Sequence, residues 1–152
     1  PATIVRLFNT VGPRQSGAYG MVVPRFVKQA LENKDITVYG SGKQSRCFLH
    51  VKDVVSTLPK IIENQKAYGQ VFNVGSQEEI TIEGLAQKVI EITGSRSKIV
   101  RIPYEEAYEE GFEDMERRVP DTTKIHGLIG FKPTVDLKTI IEDVVRYTKE
   151  NN

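Results

Sequence analysis

Short apolar runs alternate along the chain with amphipathic stripes, and this alternation limits the fold to the α/β class. Each run has the length of one strand. The runs are residues 3–8, 36–39, 47–51, 71–74 and 98–102. The first is predicted to be a buried strand. The second and third either pair as a hairpin across the glycine-containing turn at 40–43 or simply flank a loop.

Four stripes have apolar residues at helical spacing, so each predicts a helix with one buried face. They start at Val23, Val54, Ile82 and Leu137. Thr81 and Gly94 are predicted to cap the two ends of the third helix. Asp53 is predicted to cap the second helix, which Pro59 should kink or shorten. A shorter helix is expected after Asp121, and together these elements predict one compact unit.

Composition excludes several classes of partner. The chain of 152 residues has 21 Lys and Arg against 20 Asp and Glu, and this balance argues against a nucleic-acid surface. No apolar run has the length needed to cross a bilayer and no leader is recognisable, so a cytoplasmic protein is expected, with no membrane contact. Cys47 has no disulfide partner, and His50 and His126 lie too far apart for a zinc motif, so no metal site is predicted.

Polar residues after the predicted strands are the candidate site. Asn9 ends the first strand and Arg14 follows it, at the kind of strand end where α/β proteins bind ligands. Arg46 and Arg118 would suit a diphosphate if the fold brings them together, because guanidinium groups are planar and permanently charged. Taken one by one, these arginines have a simpler interpretation as solvated surface charges, and Asp121 as a helix cap.

Neither a phosphate loop nor a catalytic residue is predicted. The segment GSGKQS at 40–45 lacks the glycine and hydroxyl positions of a Walker loop and the third glycine of a dinucleotide fingerprint. His50 and Cys47 have no recognisable partners for nucleophilic catalysis. The acids at 105–116 are interpreted as a solvated surface.

Five motifs occur in the order that is typical of one family: RLFNTVGPR, VVPRFVKQAL, ITVYGSGKQSRCFLHVKDV, VFNVGS and RRVPDTTKIHGLIGFKPTVDL. The chain resembles the carboxyl-terminal half of the extended short-chain dehydrogenase/reductases that act on nucleotide sugars. The resemblance implies the last strand or strands of a Rossmann-like NAD(P)-binding sheet, followed by a small mixed α/β substrate-binding domain. Residues 1–15 would carry the late strand and residues 16–152 would bind the nucleotide sugar.

The resemblance also assigns roles to residues. Asn9, Arg46 and Arg118 would contact the diphosphate, and Asp121 would lie near the ribose. The remaining substrate contacts would come from Arg14, Val22, Phe26, Val38 and Tyr39. The backbone at Leu7 and Phe8 would approach the nicotinamide of NAD.

The activity implied for the full-length protein is transient oxidation of a UDP- or dTDP-sugar at C4 by NAD. A UDP-glucose 4-epimerase-like enzyme is preferred, with UDP-glucuronate decarboxylase, dTDP-glucose 4,6-dehydratase and a non-catalytic nucleotide-binding or assembly module as alternatives. The family's glycine-rich loop and Tyr-x-x-x-Lys pair have no match here. This portion alone is therefore expected to be inactive, with NAD bound mainly by a missing amino-terminal part and with a homodimer expected only for the full-length enzyme.

Overall fold

The computed structural model describes residues 1–17, 21–107 and 115–151. Within these ranges the helices are α1 Val22–Leu31, α2 Val51–Ile62, α3 Ile82–Thr93, α4 Tyr104–Ala107, α5 Thr123–Ile129 and α6 Leu137–Glu150. The strands are β1 Ile4–Leu7, β2 Thr10–Val11, β3 Ile36–Tyr39, β4 Ser45–Cys47, β5 Leu49–His50, β6 Val71–Val74, β7 Glu79–Thr81, β8 Ile99–Ile102 and β9 Arg117–Arg118. A 3₁₀ turn covers Gln65–Ala67. The predicted acidic stretch lies largely outside the described residues.

The strands form small sheets, most of whose pairs are parallel. Parallel pairs join β1 to β6, β2 to β5 and β3 to β8, and a three-stranded sheet has the order β7-β4-β9. Helices connect the parallel partners, so the α/β prediction is confirmed. The second predicted run is β3, whereas the third, 47–51, is divided among the end of β4, β5 and the first residue of α2. Neither β4 nor β5 pairs with β3, because β3 pairs with β8, β4 with β7 and β9, and β5 with β2. Of the two alternatives, these strands therefore flank a loop.

β1 is less buried than the sequence suggested. Ile4 is 59% exposed and Leu7 is 47% exposed. β1 pairs along one edge with β6, and among the described residues no strand covers its other edge. The prediction of a buried strand is therefore wrong for this chain, because the apolar run has a partner on only one side.

Two hydrophobic clusters hold the elements together. The larger contains the buried faces of α1, α3 and α6 with β3, and includes Phe26, Val38, Leu85 and Ile141. The smaller joins β6 to α2 and α5 through Leu49, Val54, Phe72, Ile125 and Phe131. Both clusters use the residues of the predicted stripes, as expected for helices that bury one face. None of the helices among the described residues has the length and hydrophobicity needed to cross a membrane.

The ends of α3 are as predicted, whereas α2 differs from its prediction. Thr81 Oγ1 accepts a hydrogen bond from Gly84 N at 3.0 Å, and Gly94 ends α3 with a φ of 64°. In α2 the cap is His50, whose Nδ1 accepts from Lys52 N, and Asp53 lies inside the first turn. The helix also continues three residues beyond Pro59, so this proline does not shorten it.

Asp53 does not cap α2 but binds a loop that is distant in sequence. Its buried carboxylate accepts hydrogen bonds from Thr134 N at 3.2 Å, from Val135 N at 3.3 Å and from Thr134 Oγ1. It therefore ties the start of α2 to the loop that leads into α6. Sequence spacing gave no indication of this bond, because its partners lie about eighty residues away.

Candidate functional site

A hollow at the carboxyl end of β1 brings together four of the predicted site residues. It has a volume of about 360 Å³. The residues lining it are Leu7, Asn9, Thr10, Val11, Gln15, Met21, Val22, Val23, Phe48 and Arg118. This set is called the Asn9 hollow below. Arg118 is the one charged side chain in the described lining, so the wall is otherwise neutral and mixed in polarity.

Asn9 is held firmly at the rim of this hollow. Its backbone has a φ of 35°, in the left-handed region that asparagine tolerates better than most residues. Its Nδ2 donates to Cys47 O at 2.8 Å, and its carbonyl accepts from Leu49 N at 3.2 Å. Because a carboxamide carries two N–H donors, the second remains chemically suited to an anion.

Arg118 packs over an aromatic ring from β1's carboxyl end. Its Cζ lies 5.4 Å from the centroid of the Phe8 ring, a cation–π distance. Gly75 packs closely against both Phe8 and Pro120, which lies two residues after Arg118. A Cβ on Gly75 would lie 2.8 Å from Phe8 Cβ and 2.7 Å from Pro120 Cγ, so only glycine fits there without movement. The Phe8 amide also donates to Val74 O, at 2.9 Å.

Arg46 lies beside Arg118 in the β7-β4-β9 sheet. The two residues are register partners in the parallel pair of β4 and β9. Arg46 does not line the Asn9 hollow, however, because its Nη1 donates to Ser45 O at 2.7 Å and to Met115 O at 2.8 Å. The fold thus brings Arg118 to the hollow with Asn9, and places Arg46 next to Arg118 on the adjoining strand.

The other predicted contacts are not gathered in this hollow. Arg14 is exposed at a φ of 71° and lines a second hollow, of about 680 Å³, between α1 and α6. Phe26 and Val38 are 0% exposed in the larger cluster, so in this structure they offer no surface to a ligand. The Tyr39 ring carries the guanidinium of Arg25 at 4.2 Å from its centroid.

Asp121 is exposed and accepts a hydrogen bond from the first residue of α5. Its Oδ1 accepts from Thr123 N at 2.9 Å, and hydrogen bonds from Thr123 hold the pKa of this carboxyl below its ordinary value. The simpler interpretation from sequence, a helix cap, is one residue off, because the N-cap of α5 is Thr122 and Asp121 precedes it. Asn73 Nδ2 also donates to the Asp121 carbonyl, at 3.1 Å.

Sequence reasoning missed part of the lining. Gln15 and Thr10 face each other there, with Gln15 Nε2 donating to Thr10 O at 3.2 Å. Gln15 Oε1 and Thr10 Oγ1 are buried and have no hydrogen-bond partner among the described residues. Met21 and Phe48 complete the apolar wall. The sequence signal that could have identified Gln15 as a lining residue is its position directly after Arg14, in the same loop.

His50 is buried beside Asp143 rather than in the Asn9 hollow. Its Nε2 lies 3.3 Å from Asp143 Oδ2, and Lys52 Nζ donates to the same oxygen at 3.2 Å. Burial opposes ionisation of Asp143, but the hydrogen bond from Lys52, together with the charges of Lys52 and Arg146, holds its pKa below the ordinary value. These contacts join α2 to α6.

Comparison with known proteins identifies the family. The chain matches the GDP-mannose 4,6-dehydratase family over residues 1–144. The chain belongs to this family. The resemblance to extended short-chain dehydrogenase/reductases that act on nucleotide sugars is thereby confirmed at the family level.

Named relatives and solved structures match most or nearly all of the chain. A UDP-N-acetyl-alpha-D-glucosaminuronate decarboxylase of Bacillus cytotoxicus is 40% identical over 151 residues, which are 99% of this chain and 47% of that protein. UDP-glucuronic acid decarboxylase 4 of Arabidopsis thaliana is 40% identical over 135 residues, which are 89% of this chain and 29% of that protein.

One solved structure is that of a UDP-glucuronic acid 4-epimerase from Bacillus cereus in complex with UDP-glucuronic acid and NAD. It is 26% identical, has a TM-score of 0.86, and is matched over 99% of this chain and 46% of its own. The chain thus spans about half the length of the relatives it matches, or less.

Proposed function

We propose that this chain is the nucleotide-sugar-binding part of an NAD-dependent enzyme that acts on a UDP-hexuronic acid, with decarboxylation as the reaction. The observation that carries the proposal is the Asn9 hollow, where a carboxamide and the guanidinium of Arg118 line one cavity at a strand end. Such a pair suits the diphosphate of a nucleotide sugar. Arg46, on the neighbouring strand, would add a second charge at its edge.

The relatives support a decarboxylase over the epimerase preferred from the motifs alone. Both relatives that are 40% identical are named decarboxylases of a UDP-hexuronic acid, whereas the solved UDP-glucuronic acid 4-epimerase is 26% identical. All three names share a sugar that carries a carboxylate. These names support a UDP-sugar oxidised at C6 as the proposed substrate class, in preference to UDP-glucose.

The residues at the end of β1 fit a role beside the cofactor. Leu7 is half-exposed and lines the hollow, so its side chain offers apolar surface to a flat ring. The Phe8 amide and ring are already used by Val74 O and Arg118, so Phe8 would act by supporting Arg118. When bound, NAD supplies a hydride acceptor for C4 of the sugar.

The task of this chain in that reaction would be to bind and orient. Contacts to the diphosphate lie far from the reacting carbon, and their binding energy serves to fix the sugar relative to the cofactor. The Asn9 carboxamide is rigidly placed by Cys47 O, so little conformational entropy would be lost when an anion binds. A ketone at C4 would lie β to the C6 carboxylate, and a β-keto acid loses carbon dioxide readily. A proton taken up at C5 and return to C4 of the hydride removed from it would then complete a UDP-pentose.

Titration calorimetry of UDP against the chain tests the binding role. Arg118→Ala and Arg46→Ala should each weaken UDP binding by roughly 1.5–3 kcal/mol, the usual value of a hydrogen bond to a charged group. Arg96→Ala is the matched control, since it removes the same charge from an exposed loop position that lines neither hollow. UDP affinity that is unchanged in both site variants would refute the proposal.

The reaction would be tested in a full-length protein that contains this chain, because the chain spans about half the length of its relatives. Incubated with NAD and either UDP-glucuronic acid or UDP-N-acetylglucosaminuronic acid, that protein should release carbon dioxide and yield a UDP-pentose by mass spectrometry. A product of unchanged mass and inverted C4 would identify an epimerase instead.

A further inference from the structure

The polar side chains of the three-stranded sheet β7-β4-β9 form two sets, one on each face of the sheet. Register places Arg46 beside Arg118, and Ile80 of β7 opposite Arg46. The adjoining rows contain Ser45 beside Arg117, with Glu79 of β7 opposite Cys47. Successive residues of a strand point to opposite faces, so the two arginines of the proposed diphosphate site share one face.

The two guanidinium groups on this face belong to register partners, so they tend to repel each other. Neighbouring strands lie about 4.8 Å apart, and like charges directly opposite each other weaken strand pairing. β9 consists of Arg117 and Arg118 alone, so its pairing with β4 has few bonds to resist this repulsion. The segment just before β9 is bonded to β4 by Ser45 N to Glu116 O and by Arg46 Nη1 to Met115 O, both at 2.8 Å, so contacts to β9 itself must come from other side chains.

Glu79 supplies contacts to both partner strands from the opposite face. Its carboxylate accepts Arg117 Nε at 3.1 Å to each oxygen, with Arg117 Nη2 at 3.0 Å from Oε2. Ser45 Oγ donates a hydrogen bond to Glu79 Oε1. The three residues Ser45, Glu79 and Arg117, called the Glu79 network here, therefore link all three strands.

The ionisation of these groups agrees with the geometry. Hydrogen bonds from Ser45 and Arg117 lower the pKa of Glu79, and the Glu79 carboxylate raises the pKa of Arg117. Burial, followed by the charge of Glu79, raises the pKa of the Cys47 thiol on the same face. The carboxylate is therefore charged at neutral pH and held by two strands.

We propose that Glu79 is a positioning residue for the diphosphate site: by bonding Ser45 and Arg117 together, it keeps β9 in register so that Arg118 stays beside Arg46. The inference rests on the proposed function, since it assigns Glu79 a role only if the two arginines bind a diphosphate. Glu79 itself touches no substrate.

An ordinary surface ion pair is the competing explanation. Exposed pairs contribute little to stability, and here the side chains are 33% and 68% exposed. The Glu79 network differs in its two-oxygen contact with Arg117 and in its third member, Ser45. Removal of the Glu79 network is therefore expected to displace Arg118 and to change the melting temperature of the chain only slightly.

Binding of UDP and of uridine to the chain tests this role, because the two probes differ only in the diphosphate. Glu79→Ala should weaken UDP binding by about tenfold, the effect of one misplaced charge-assisted hydrogen bond, and leave uridine binding unchanged. Glu83→Ala is the matched control, since Glu83 also forms an exposed ion pair, with Arg101, and should leave both affinities unchanged. The double variant with Glu79→Arg and Arg117→Glu exchanges the two charges and should restore most of the UDP affinity.

The outcomes separate this inference from the proposed function. If Glu79→Ala binds UDP like the wild type while Arg118→Ala does not, the positioning role is refuted and the proposed site stands. Parallel loss of UDP and uridine binding with a large fall in melting temperature would also refute it, because that pattern indicates general destabilisation. If the wild-type chain fails to bind UDP, or if neither Arg46→Ala nor Arg118→Ala weakens binding, the proposed function fails and this inference fails with it.

Discussion

Replacement of Asp53 by alanine should destabilise the chain through the loop that precedes α6. The Asp53 side chain is 3% exposed and is the acceptor for two backbone amides, Thr134 N and Val135 N, as well as for Thr134 Oγ1. Asp53→Ala removes the acceptor and leaves these donors in place. The loss therefore combines missing hydrogen bonds with incompletely solvated amides.

The contacts set the expected size of this effect. A buried donor without a partner costs about 1–3 kcal/mol. Thr134 is exposed, so water can replace much of what its amide and hydroxyl lose, whereas Val135 is half-buried. The expected decrease in the free energy of unfolding is therefore about 2–3 kcal/mol. For a domain of this size that corresponds to a fall of roughly 4–12 °C in melting temperature.

Urea unfolding followed by far-UV circular dichroism measures this difference. Asp136→Ala is the matched control, because Asp136 is an exposed N-cap of α6 whose Oδ1 accepts from Thr139 N at 2.8 Å. Loss of such a cap costs about 1 kcal/mol. A decrease for Asp53→Ala that is no larger than the decrease for Asp136→Ala would show that burial of this carboxylate has no special importance.

Two further predictions concern packing and pH. Gly75→Ala should lose about 1–3 kcal/mol of stability in the same urea assay, because its Cβ would lie 2.7 Å from Pro120 Cγ. Gly127→Ala in α5, where a Cβ meets open space, should instead gain about 0.5–1 kcal/mol, and equal effects at both glycines would contradict this reasoning. Burial opposes ionisation of Asp143, but the hydrogen bond from Lys52 holds its pKa below the ordinary value of 3.8. The stability that ionised Asp143 gives to the fold is therefore present above pH 3.8 and is lost as pH falls through the lower pKa of the folded state. Asp143→Asn should therefore lower stability at neutral pH and flatten its decline in acid, and an unchanged acid slope in pH-dependent melting would refute the assignment.

The helices were predictable because their signals are local. In α3 the cap Thr81, the stripe and the terminal Gly94 all lie within fourteen residues, and the structure has the helix between them. The strand β6 likewise has the bounds expected from its apolar run. Pro59 shows the limit of such rules, since α2 continues beyond it.

The candidate site was predictable only through the family motifs. Those motifs pointed to Asn9, Leu7, Val22 and Arg118, which line one hollow, and to Arg46 beside it. They also pointed to Phe26 and Val38, whose complete burial depends on how α1 and β3 pack in the larger cluster. Residue type and position along the chain do not state which side of an element faces the core of the molecule and which faces a ligand.

The sequence by itself determined the α/β class, the positions of most helices and strands, and membership of a nucleotide-sugar enzyme family. These properties depend on periodicity, capping residues and motifs that span a few turns or one strand. Tertiary structure alone decided that β3 pairs with β8, more than sixty residues later, and that β9 lies beside β4. It also decided that Asp53 bonds a distant loop and that Glu79 links three strands. These contacts join segments that are far apart in sequence. Several segments have similar chemistry, so the packing of the whole chain decides which of them come together.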